Sequence, residues 1–149
     1  MQKALKIKFR EIQKKDIPEV WELLEQLKPI SEIQPEWFEP DVDDAWTEFN
    51  SIGIVGLDGK KVIAFGSIVV ENKIRGYRSC QLEDIVVDNE YRGKNIGLEL
   101  MKYIDKKILK NGCYRATLFC REGLIPFYEK AGYKVNNVVM KKWFDITEQ

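Results

Sequence analysis

The densest chemistry in the 149-residue chain lies in the run Leu82-Glu83-Asp84-Ile85-Val86-Val87-Asp88-Asn89-Glu90-Tyr91-Arg92-Gly93-Lys94-Asn95-Ile96-Gly97. Glu83 and Asp84 interrupt an apolar strand-like stretch. A carboxylate there is costly to bury unless it meets a cation or serves acid–base chemistry. In an unbroken strand neighbouring residues face opposite ways. Gln81, Glu83, Ile85 and Val87 should then share one face, and Leu82, Asp84 and Val86 the other. A strand-edge salt bridge is the ordinary alternative for the two acids. The loop that follows, Arg92, Gly93, Lys94, Asn95, Ile96 and Gly97, opens an amphipathic helix. Glycine and asparagine tolerate positive φ and leave backbone N–H groups uncovered. At a helix N-terminus such groups, with the dipole, hold a pyrophosphate, and Arg92 and Lys94 add cationic reach. A plain β-α turn with a charged surface fits the same string. The loop has neither the Gly-Lys-Ser/Thr ending of a Walker A loop nor the Gly-x-Gly-x-x-Gly dinucleotide fingerprint, so the phosphate-bearing cofactor is of another kind.

What is missing narrows the chemistry further. The chain has no histidine, which removes Ser-His-Asp and Cys-His catalysis, most zinc sites and the usual general base. No metal is expected. Carboxylates, tyrosine, cysteine and backbone groups must do any catalysis. Cys80, Cys113 and Cys120 are odd in number and unpaired in spacing, which fits reduced thiols in the cytoplasm. The N-terminal MQKALKIKFR lacks the apolar core of a secretory signal. Twenty-four basic residues balance twenty-four acidic ones, so no bulk field draws the protein to nucleic acid or membrane. The short basic run Lys73–Arg78 does not change that expectation.

The elements that must position these residues read as one domain over 1–149. A first strand covers 5–11. Asp16 followed by Glu19 has the spacing of a capping box and predicts a helix over Ile17–Leu27, stopped by Pro29. A proline-punctuated loop, Pro29–Pro40, and a short helix over Val42–Asn50 follow. Strands are expected at Ser51–Leu57 and Lys61–Glu71 about an Asp58-Gly59 turn, then at Cys80–Asp88. A helix over Gly93–Lys110, a strand over Tyr114–Cys120 and a short helix over Leu124–Ala131 come next, with Gly132 ending the last at C′. A final strand is expected over Tyr133–Phe144. The order β-α-α-β-β-β-α-β-α-β predicts a mixed α+β fold: a mainly antiparallel central sheet with one strand-helix-strand crossover.

Arg92–Gly97 resembles the R/Q-x-x-G-x-G/A pyrophosphate loop of the GNAT superfamily of acyl-CoA N-acyltransferases, with Asn95 at the middle glycine. The likeness continues through Leu82–Val87 and through Pro126-Phe127-Tyr128-Glu129-Lys130-Ala131-Gly132-Tyr133. It implies the GNAT fold and acetyl-CoA as cosubstrate, held in a V-shaped opening between Leu82–Val87 and Tyr114–Cys120. Backbone groups of Ile85, Val86 and Val87 would hold the pantetheine arm. Tyr128 would protonate the departing thiolate, and Phe127 would pack. For an attacking amine, Glu83 is the first candidate to orient the ammonium and take its proton, directly or through water, and Asp84 the second.

A closer likeness covers most of the chain. Gln26-Leu27-Lys28, Glu71-Asn72-Lys73, Glu83–Val87, Asn111-Gly112-Cys113-Tyr114-Arg115 and Phe127–Lys130 resemble glucosamine-6-phosphate N-acetyltransferases. The resemblance implicates Glu83 and Asp84 in sugar contact, and Lys28, Arg115, and Lys141 or Lys142 in phosphate contact, the last pair across a homodimer interface. Lys28 replaces a threonine of that family and Leu124 an asparagine that usually touches CoA. The acceptor is thus expected to be a small amine, either an aminosugar phosphate or another small or amino-acid-like amine, with a protein or peptide amine the alternative. A non-catalytic acyl-CoA sensor on the same fold is the rival from another class.

Overall fold

Alternation in β1 and continuous buried runs in β2 and β3 help build five strands, β1 (Ile7–Glu11), β2 (Ser51–Asp58), β3 (Lys61–Asn72), β4 (Arg78–Val87) and β5 (Cys113–Leu118). In the computed structural model they form one sheet in the order β1-β2-β3-β4-β5. Structure is described for residues 5–27, 51–75 and 77–144, which divide into two compact units, Met1–Leu118 and Phe119–Gln149. The expected loop at Pro29–Pro40, the helix at Val42–Asn50 and Lys28 lie outside the described residues.

Within the first unit, β1 to β4 pair antiparallel and β4 pairs parallel with β5. A parallel pair needs a crossover, and helix α2 (Ile96–Lys110) supplies it. Ile96, Leu100, Met101, Ile104 and Ile108 repeat at helical spacing and form its buried stripe. Helix α1 (Ile17–Glu25) covers the opposite face, where Val20 and Leu23 cluster with Val55, Leu57, Val62, Phe65 and Val86.

Two local expectations change on folding. Helix α1 forms, yet Asp16 makes no side-chain cap to it. Its carboxylate instead takes both guanidinium nitrogens of Arg10, at 2.6 and 2.9 Å, and the N–H of Gln13 at 2.7 Å. Burial alone would push this carboxyl pKa up, but the Arg10 and Gln13 bonds prevail and hold it below the ordinary value. Glu19 accepts the N–H of Val62 on β3 at 3.1 Å, so both supposed capping residues tie the helix region to the sheet. Helix α2 begins at Ile96 rather than Gly93, leaving Arg92–Asn95 as turn.

In the second unit, helix α3 (Ile125–Lys130) ends as expected. Gly132 has φ +95°, its N–H reaches Glu129 O, and the N–H of Tyr133 reaches Tyr128 O, both at 3.0 Å. That is a Schellman closure. The expected strand over Tyr133–Phe144 does not form. A strand exists only where a neighbour completes its ladder. The second unit holds no strand of its own to pair with it, among the described residues, and Val135, Val138, Met140, Trp143 and Phe144 are exposed. Among the described residues no helix is long and apolar enough to cross a membrane.

Candidate active site

The two acids sit at a break in β4. Phe65 pairs with Val86 and Ser67 with Glu83, so Gly66 alone stands opposite Asp84 and Ile85. This is a β-bulge, and its first residue, Asp84, has φ +55°. Aspartate tolerates that left-handed backbone better than most residues. A Cβ on Gly66 would lie 2.9 Å from Cδ1 of both Ile85 and Ile104, so only glycine lets α2 pack this close to the bulge.

The bulge overturns the face pattern expected from strict alternation. Ile85 points to the α2 side with Ile104, while Val86 belongs to the α1-side cluster. Glu83, opposite Ser67, shares the α1 side with Val86, because directly paired residues face the same way. Leu82, opposite the buried Ile68, lies with Ile85. Glu83 and Ile85 are therefore on opposite faces. One extra residue reverses the side-chain phase of everything beyond it.

The edge of β4 changes at the same place. Its pairing with β5 runs from Arg78 to Leu82 and stops there, with Leu118 as the last partner. β5 ends at Leu118 rather than Cys120, so residues 83–87 pair only with β3 in the described sheet. Backbone N–H and C=O groups left unpaired on a strand edge can receive the amides of an extended ligand. The expected opening would begin where this pairing ends, at Leu82 and Leu118.

Directly beyond β4 lies the turn. Asp88 caps it, accepting the N–H of Glu90 at 3.0 Å. Gly93 (φ +78°) and Asn95 (φ +64°) adopt the left-handed conformation that their types foretold. Gly97 does not: it is inside helix α2. Asn95 is the N-cap residue but makes no side-chain cap, so the first amides of α2 keep their donors. Arg92, Gly93, Lys94 and Asn95 are exposed, whereas the Ile96 side chain is core. Positive-φ residues ahead of uncapped helix amides have the geometry of an anion nest.

Glu83 is exposed, and Gln81 Nε2 donates to its Oε1 at 3.3 Å. Asp84 also meets solvent, yet the protein mass around it pushes its carboxyl pKa up by desolvation. A raised carboxyl is a better proton acceptor near neutrality. Tyr128, on α3, is buried, edge-on to Phe127 and Tyr133. Burial, and secondarily Cys120, pushes its hydroxyl up to about 12, so it carries its proton at neutral pH. Phe127, expected to be the packed ring, is only half-buried. Burial and the neighbouring Cys113 push the Cys80 thiol up to about 12, which removes it as a nucleophile.

The acceptor candidates are spread over the chain. Arg115 is exposed on β5, its guanidinium 5.3 Å from the Tyr114 ring centroid. Lys141 and Lys142, in the second unit, lie 6.0 and 5.2 Å from the rings of Trp143 and Phe144. Tyr91 and Asp58, joined by a 2.5 Å hydrogen bond from the Tyr91 hydroxyl, escaped sequence reasoning because 33 residues separate them. The bulge had one faint signal, a glycine inside the apolar run of β3.

The acetyltransferase (GNAT) family profile matches residues 17–133. The chain belongs to this family. GNAT acetyltransferases use acetyl-CoA as cosubstrate, and the chain is an N-acetyltransferase of that class. It is 44% identical over 91 residues to glucosamine 6-phosphate N-acetyltransferase 1 of Dictyostelium discoideum, an alignment covering 58% of each protein. It is 32% identical to glucosamine 6-phosphate N-acetyltransferase of Arabidopsis thaliana, over 83% of this chain and 87% of that one. The crystal structure of an Arabidopsis glucosamine-6-phosphate N-acetyltransferase superposes with TM-score 0.79 at 27% identity, covering 94% of this chain and 99% of the other. These likenesses bear out the GNAT fold and the nearer resemblance read from the sequence.

Proposed function

We propose that this GNAT acetyltransferase acetylates the amine of an aminosugar phosphate, glucosamine 6-phosphate, by direct attack in a ternary complex. The observation that carries the reading is the break in β4, where the bulge at Asp84, the end of β5 pairing at Leu82 and the turn at Arg92–Asn95 follow one another. The identity with the Arabidopsis enzyme across 83% of the chain supports the choice of acceptor.

The residues then divide the work. The Arg92 guanidinium and the N–H groups of Gly93, Lys94, Asn95, Ile96 and Gly97 hold the pyrophosphate of acetyl-CoA, and the unpaired edge at Ile85, Val86 and Val87 holds its pantetheine arm. Glu83 orients the acceptor ammonium and Asp84 takes its proton, directly or through water; the raised carboxyl of Asp84 supports that assignment. The freed amine attacks the thioester carbon. The C–N bond forms, the C–S bond breaks, Tyr128 gives its proton to the thiolate, and the second proton released by the acetylated nitrogen restores the phenol, directly or through water. Burial keeps the Tyr128 hydroxyl protonated at neutral pH, so a donor hydrogen is present to offer to the departing sulfur. Arg115, Lys28, and Lys141 or Lys142 neutralise the sugar phosphate, the last pair from the second subunit of a homodimer; the exposed apolar segment around them supports a covering partner. The chain works as one domain over 1–149 in the cytoplasm, without metal. The family match, which crosses the boundary between the two units, supports the single domain, and three free cysteines support the compartment.

The test is thiol release from acetyl-CoA with glucosamine 6-phosphate, glucosamine, polyamines, amino acids and peptides as acceptors. The phosphorylated sugar should exceed glucosamine at least tenfold in kcat/KM, the low end of one charge-assisted contact. Equal rates with and without the phosphate would overturn the acceptor, and binding of acetyl-CoA without turnover would favour a sensor.

A further inference from the structure

The turn after β4 is stitched to the sheet at several points. The N–H of Asp88 reaches Ile63 O, and the N–H of Asn89 reaches Gln26 Oε1 just beyond α1, both at 2.8 Å. Both contacts lie ahead of the turn proper. The residue adjoining Arg92–Gly97 is Tyr91, whose hydroxyl donates to Asp58 Oδ2 at 2.5 Å, at the end of β2. Its ring also gathers two cations. Lys94 Nζ lies 5.7 Å and Lys61 Nζ 5.5 Å from the centroid. Lys61 lies in turn 3.9 Å from Asp88 and 3.8 Å from Glu90. The Asp58 bond first, with neighbouring acids, pushes the Tyr91 hydroxyl up to about 12, so the donor keeps its proton at neutral pH.

A ring of backbone donors binds an anion well only when the donors are aimed before the anion arrives, because ordering a loop on binding is subtracted from affinity. Gly93 and Asn95 make the loop able to adopt the nest but do not hold it there. We propose that Tyr91, tied through its hydroxyl to Asp58, is a positioning residue that holds the Arg92–Gly97 turn preformed for the pyrophosphate of the cosubstrate and parks the Lys94 ammonium beside it. The assignment rests on the reading of that turn as the pyrophosphate site. Tyrosine is needed because phenylalanine keeps the cation contacts and loses the anchor.

The experiment is acetyl-CoA binding followed calorimetrically and by amide NMR of labelled protein. Tyr91→Phe should raise the acetyl-CoA Kd about three- to tenfold, the range for one hydrogen bond. It should speed hydrogen exchange at 91–95, while kcat at saturation and the acceptor KM stay within twofold. Asp58→Ala should bind the same factor more weakly than Asp58→Asn, which removes the same charge but keeps an oxygen acceptor. The double variant Asp58→Ala/Tyr91→Phe should be no worse than either single one. Wild-type affinity in Tyr91→Phe, or additive losses in the double variant, would overturn the anchor while leaving the pyrophosphate site standing. If acetyl-CoA leaves the wild-type amides of Gly93–Gly97 unshifted, the site itself is wrong and the anchor falls with it.

Discussion

The two halves of β4 belong to one strand and are used differently. Residues 78–82 pair with β3 on one edge and β5 on the other, and Ser79, Cys80 and Leu82 are buried among them. Residues 83–87 pair with β3 alone, carry the bulge, and expose both carboxylates. A strand satisfied on both edges has no backbone donors left for a ligand; one satisfied on a single edge has a row of them. Binding capacity here comes from hydrogen bonds the sheet declines to make, and stability from those it completes.

That contrast can be broken from either side. In the open half, Asp84→Asn and Glu83→Gln should lower turnover by about 10²- to 10⁴-fold for the residue that moves the proton, with no loss of melting temperature. A parallel fall in stability would mean the acids serve the fold. In the closed half, Leu82→Ala should cost about 2–5 kcal/mol in urea unfolding, with kcat of the folded enzyme within twofold of wild type. Impaired chemistry in that variant would erase the division.

Tyr128→Phe sharpens the comparison, because the acid lies outside β4. Turnover should fall on the order of 10²-fold with acetyl-CoA affinity unchanged; full activity would leave the buried ring to packing. The smallest effect is on stability against pH. The Asp84 carboxyl is raised in the folded protein, so its ionisation opposes folding at neutral pH, and its contribution is fully favourable only below the ordinary value of 3.8. Asp84→Asn should be slightly more stable than wild type at pH 7, with the gain fading as the solution is acidified and absent below pH 3.8. A gain that persists in acid would have another cause.

Much of the site was legible because it depends on short-range conformational freedom. Gly93 and Asn95 take positive φ where their types allow it, and Gly132 closes α3 by a Schellman motif that spans only Tyr128–Tyr133. The stripe of α2 follows from spacing alone. Asp16 shows the limit. Its spacing from Glu19 spells a capping box, yet a guanidinium six residues upstream outbids the helix amides for its carboxylate. Glu19 is likewise drawn to a strand 43 residues away.

By itself, then, the sequence determined the order of the elements from β2 to α3, the β4-turn-α2 frame and the residue types able to bind an anion and move protons, because each depends on neighbours within a turn or two. Tertiary structure decided the rest. The bulge arises because β3 offers one residue, Gly66, against two of β4. The free edge of 83–87 arises because β5 pairs no further than Leu82. The anchor of the turn arises because β2 brings Asp58 within reach of Tyr91. Register, pairing length and long-range hydrogen bonds are properties of two segments at once, and neither segment carries the other's position in its own residues.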